Sequence, residues 1–115
     1  MYKLADKHTI FVDVDNTLIL WGSQVEPVVN LSFGQTASIH VPHLEKIKEF
    51  KARGHLIVVW SAGGADWAER IVYQLGIQEY VDLIVSKPSW FIDDLEATEF
   101  MPPHNRIFLE PYPKD

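Results

Sequence analysis

The chain has 115 residues, 47% of them apolar and 23% charged, with a formal net charge of −6 and no cysteine. That length holds one domain around one core, and the missing cysteine excludes disulfides, thiolate metal sites and thiol nucleophiles. The acidic balance excludes a broad basic face of the kind that grips a nucleic-acid backbone.

No stretch approaches the roughly 18 consecutive apolar residues of a membrane span. The lysine-led N-terminus meets Asp13 and Asp15 too soon for a signal peptide. The expected compartment is the cytoplasm, with no membrane partner. Thr9 to Val14 (TIFVDV) is a β-branched and aromatic run that predicts a strand buried on both faces. Residues 18–41 are rich in Gly, Pro, Ser and Asn, with Val25, Val28, Val29 and Leu31 scattered among them, and predict a small hairpin flap. His40 and His43 have no further His or Cys nearby and are expected on the surface before a helix. Pro42 suits the first position of that helix, which carries Leu44, Ile47 and Phe50 as its apolar stripe and stops near Arg53-Gly54.

His55 to Trp60 (HLIVVW) predicts a second strand, and Ser61-Ala62-Gly63-Gly64 a turn of small residues. The following helix places Trp67, Ile71 and Leu75 on one face and stops at Gly76. Asp82–Val85, Trp90–Ile92 and Arg106–Leu109 predict a third, fourth and fifth strand. Alternating strands and helices imply a mostly parallel sheet with helices on its faces and right-handed crossovers. Ligands of such folds gather at the carboxyl ends of the strands. Those ends carry Asp13 and Asp15, then Ser61, then Lys87, then Asp93 and Asp94, which are residue types suited to phosphate and metal. The four tryptophans are expected in or beside the core, with Trp21 set apart because it follows the first acidic pair so closely.

A hydrophobic strand followed by Asp13-Val14-Asp15-Asn16-Thr17-Leu18 resembles the first motif of the haloacid dehalogenase superfamily. Ser61, Lys87 and the Asp93-Asp94 pair follow in the order of that family's remaining motifs. The resemblance spans roughly residues 9 to 95. It implies a Rossmann-like, three-layer α/β/α domain over residues 1–115, with residues 18–41 as a flap in place of a cap domain. It also implies a Mg2+-dependent phosphatase that hydrolyses a phosphate monoester through an aspartyl-phosphate on Asp13.

A carboxylate attacks phosphorus once the phosphoryl charge is neutralised, and the covalent intermediate splits one hard step into two. On this resemblance Asp15 is the general acid and base, facing the same side as Asp13 if the strand stays extended there. Thr17, Ser61 and the backbone N–H groups of Ala62 and Gly63 hold phosphoryl oxygens, and Lys87 neutralises charge. Mg2+ favours a few hard oxygen ligands, here Asp13, the backbone carbonyl of Asp15 and one of the Asp93/Asp94 pair. Asp94 is favoured as that ligand, with Asp93 orienting it.

Two features depart from the family pattern. Only five residues, Pro88 to Ile92, separate Lys87 from Asp93, whereas a parallel crossover takes a dozen or more. With no room for a cap domain, the site is expected to be open, as in relatives that act on large substrates such as phosphoproteins or nucleic-acid ends. The rival reading is a non-catalytic module of the same fold that binds a phosphate or a partner. A receiver-like phosphoacceptor is disfavoured, because its acidic pair precedes the phosphorylated Asp. Substrate identity and oligomeric state are not encoded in these motifs.

Overall fold

A computed structural model describes residues 7–112. The first apolar run forms β1 (Thr9–Asp13). Residues 18–41 fold into three short strands, β2 (Ile19–Leu20), β3 (Val28–Asn30) and β4 (Thr36–Ile39), in an antiparallel sheet of order β2-β4-β3. This is larger than the expected hairpin, and it is not a free flap. Leu18, Ile19 and Ala37 are fully buried and join the main core together with Val29 and Leu31.

Helix α1 (Val41–Ala52) begins where Pro42 indicated, and α2 (Ala65–Gln74) stops before Gly76, whose φ of 69° suits a residue without Cβ. Between them runs β5 (Leu56–Ser61), and after α2 comes β6 (Leu83–Ser86). The parallel sheet has the order β1-β5-β6, with Val12 opposite Val59 and Val59 opposite Ile84. Side chains alternate across a strand, so Ile10, Val12, Ile57, Val59 and Ile84 share one face. They form the core with Leu44, Ile47 and Phe50 of α1 and with Ala68, Ile71 and Val72 of α2.

Three expectations are corrected here. Trp90–Ile92 and Arg106–Leu109 are not strands, so the parallel sheet has three strands instead of five. The five-residue link after Lys87 is too short to carry the chain round to a new parallel position, and the segment after it forms only a four-residue helix, α3 (Ala97–Phe100), and turns. Nor is β1 buried on both faces. On the face away from the helices Phe11 is 44% exposed and Leu83 60%, because beyond β6 the described chain adds only α3 and turns. Phe11 and Trp60 lie against each other there, with ring centroids 4.4 Å apart. No helix among the described residues is long and apolar enough to cross a membrane.

Candidate active site

The site is built at the carboxyl end of the parallel sheet. Beyond β1 the chain turns at Val14, which is fully buried and accepts the N–H groups of Thr17 and Leu18 on its carbonyl (3.1 and 2.9 Å). Asn16 takes φ of 62° in this turn, a conformation that Asn tolerates better than most residues, and its Oδ1 accepts the N–H of Trp21 at 3.2 Å. The turn folds Thr17 back so that its hydroxyl donates to Asp13 Oδ2 at 3.0 Å. Lys87 arrives from the end of β6, its N–H donating to the carbonyl of Ser61 at 2.9 Å, and its ammonium stands 3.9 Å from Asp13 Oδ1. The structure therefore brings Asp13, Thr17 and Lys87 together across two strand ends.

Asp15 takes a separate set of partners. The strand stops at Asp13, so the extended alternation that would set the two carboxylates side by side is not continued. Asp15 Oδ1 accepts the indole N–H of Trp21 at 2.8 Å and of Trp67 at 3.2 Å, and Oδ2 accepts the buried Ser61 hydroxyl at 3.3 Å. Ser61 Oγ in turn accepts the N–H of Gly63 at 3.0 Å. The Ser61–Gly64 turn is tight: a Cβ on Gly63 would sit 3.2 Å from Trp67 Cδ1 and 3.3 Å from Ser61 Oγ, and Gly64 has φ of 105°. Ser86 Oγ accepts the N–H of Ala65 at the start of α2.

Trp67 and Ser86 were not foreseen as parts of this rim. Trp67 reads in sequence only as a core-facing helix residue, and nothing in the sequence marks Ser86. Trp21 did carry a signal, its closeness to the acidic pair. Its ring lies 6.2 Å from that of Trp67 with planes 16° apart.

Asp93 and Asp94 are exposed, and Asp93 accepts the N–H of Leu95 at 2.9 Å, closing a local turn. Among the described residues no three His, Asp or Glu side chains gather into a group able to hold a metal ion. Asp93 lines one open groove with Asp13 and Lys87.

His40 and His43 are not surface residues. They are 0% and 5% exposed and stack face to face, with centroids 3.5 Å apart and planes 2° apart. His40 caps α1, its Nδ1 accepting the N–H of His43 at 3.2 Å. Burial lowers the pKa of His43, the bond to Thr17 pulls it up, and the neighbouring His40 lowers it further. An open groove of about 1670 Å³ runs from this region along β1, lined by Asp13, Thr17, His43, Trp60 and Lys87 among others.

Compared with protein-family models, curated proteins and solved structures, the chain matches none.

Proposed function

We propose that the chain is a phosphatase of the haloacid dehalogenase type, acting in the cytoplasm on a phosphorylated small molecule or macromolecular end. One observation carries this reading: Asp13, at the end of a parallel strand, has the Thr17 hydroxyl on one carboxylate oxygen and the Lys87 ammonium near the other. The cation offsets the charge of an incoming phosphoryl group. The adjoining Ser61–Gly64 turn offers the backbone N–H of Ala62 for a phosphoryl oxygen, and that of Gly63 once it leaves Ser61 Oγ, which it meets at 3.0 Å.

In this reading an Asp13 oxygen attacks phosphorus, the bond to the ester oxygen breaks, and the leaving oxygen takes a proton from Asp15. Asp15 then removes a proton from the water that hydrolyses phospho-Asp13 and releases inorganic phosphate. For that step Asp15 enters protonated, with its O–H facing the leaving oxygen in place of one of its three present donors. Mg2+ belongs to the proposal as a requirement to be measured; Asp13, the Asp15 carbonyl and Asp94 would hold it, and it would offset phosphoryl charge.

The test is hydrolysis of p-nitrophenyl phosphate with and without Mg2+, by the wild type and by Asp13→Asn. The expected result is metal-dependent turnover that disappears in the variant. Turnover that survives Asp13→Asn rules out the nucleophile. The second reading, a phosphate-binding module without turnover, is favoured by the three donors that occupy both oxygens of Asp15. It predicts phosphate binding, seen by calorimetry, from a protein that hydrolyses no phosphoester.

A further inference from the structure

The stacked histidine pair has a job that the phosphatase reading does not use. Each ring nitrogen of the pair meets a backbone group, and those groups fix where the protons sit. The N–H of Leu109 points at His43 Nε2 at 2.9 Å, so that nitrogen is the acceptor. His43 Nδ1 therefore carries the hydrogen and donates it to the carbonyl of Thr17 at 2.7 Å. In the same way the N–H of His43 makes His40 Nδ1 an acceptor. His40 Nε2–H then donates to the carbonyl of Leu109 at 2.9 Å. A neutral imidazole has one donor and one acceptor, and here both rings use both.

The two rings consequently hold the backbone of Leu109 at its N–H and its C=O, as a neighbouring strand would. Phe108 covers them edge-on, 5.1 Å from His43 and 5.8 Å from His40. The other end of the chain of bonds is Asp13: His43 holds the Thr17 carbonyl, and the Thr17 hydroxyl holds Asp13 Oδ2. Asp15 is tied to Trp21, Trp67 and Ser61, whereas the bond from His43 acts on Thr17, the residue that holds Asp13.

We propose that His43 is a positioning residue for Asp13, acting through Thr17, and that with His40 it clamps the segment around Leu109 onto the loop that carries the nucleophile. The positioning role rests on the phosphatase reading above; the clamp does not. A displacement of about 1 Å in a reacting group can cost on the order of a hundredfold in rate, so a loop tether of this kind acts on turnover with little effect on binding.

Two variants split the two bonds of His43. His43→Asn places an amide N–H where Nδ1–H stood and keeps the Thr17 bond. His43→Gln places an amide oxygen near Nε2 and keeps the Leu109 bond. With p-nitrophenyl phosphate as substrate, kcat is expected to fall about tenfold in His43→Gln and less than threefold in His43→Asn, with KM unchanged within twofold in both. Hydrogen exchange at the Leu109 amide is expected to run the other way, fast in His43→Asn and slow in His43→Gln. Equal kcat in the two variants overturns the positioning role.

The ¹⁵N resonances of the wild type at pH 8 test the clamp without any substitution. The expected signature is His43 protonated at Nδ1 and His40 at Nε2; either opposite tautomer overturns it. A wild type that turns over no phosphoester removes the phosphatase reading and the positioning role with it, while the tautomers and the Leu109 exchange still decide the clamp.

Discussion

At the scale of single residues, the site depends on side chains that do two things at once. Ser61 is fully buried and both donates to Asp15 and accepts from Gly63, so its hydroxyl fixes the shape of the turn as well as the carboxylate beside it. A Cβ on Gly63 would crowd Ser61 Oγ and Trp67, which would have to give by a few tenths of an ångström. Gly63→Ala is therefore expected to weaken phosphate binding by about threefold to tenfold, as the indole or the Ser61 hydroxyl gives way. Calorimetric titration with inorganic phosphate measures this, and unchanged affinity would show that the turn does not hold the anion. Thermal unfolding of the same variant should move little, since the required shift is a few tenths of an ångström at the rim of the sheet.

At the scale of elements, legibility followed local chemistry. The runs Thr9–Val14 and His55–Trp60, Pro42 and Gly76 announced β1, β5, α1 and the end of α2 within a residue or two, because hydrophobic period and chain-stopping residues act locally. Asp13, Asp15, Ser61 and Lys87 were legible as a strand-end group for the same reason, and Thr17 through the resemblance; the structure sets Asp13 beside Thr17 and Lys87, and Asp15 beside Ser61. Trp90–Ile92 and Arg106–Leu109 have strand-like composition but form none, because a strand also needs a partner edge that the connecting chain can reach. The burial of His40 and His43 was invisible because their partners, Thr17 and Leu109, are backbone groups 26 and 66 residues away. Residues 18–41 read as a loose flap because their strands are short, and only packing on Leu18 and Ile19 shows that they are core.

At the scale of the whole molecule, stability should respond to acid in two steps. His43 titrates near 6.5 when unfolded and lower when folded. The unfolded chain therefore takes up the proton first, and stability, complete above about pH 6.5, declines as the pH falls below it. Asp82 behaves as the usual carboxylate: its bonds from Lys51 and from the N–H of Ile57 hold its pKa below 3.8. Its contribution is present above pH 3.8 and is lost as the pH falls through the lower folded value. Urea denaturation between pH 8 and pH 3 should show both declines, whereas a free energy that rises from pH 7 to pH 5.5 would contradict the first.

The order β1-β5-β6 also sets the sequence of events when the chain folds. Joining β5 to β6 closes a loop of about 25 residues, as the Ile57–Asp82 bond shows, while joining β1 to β5 closes one of about 47, as the His8–His55 bond shows. Loop-closure entropy favours the shorter one, and the helix inside it, α2, packs on both strands it connects. The β5-α2-β6 unit should thus serve as the nucleus, with β1 and the Asp13 loop added late. Conservative truncations at Ile71 should then slow refolding, and truncations at Val12 should speed unfolding instead. The nucleophile would be the last part of the sheet to arrive and the first to leave.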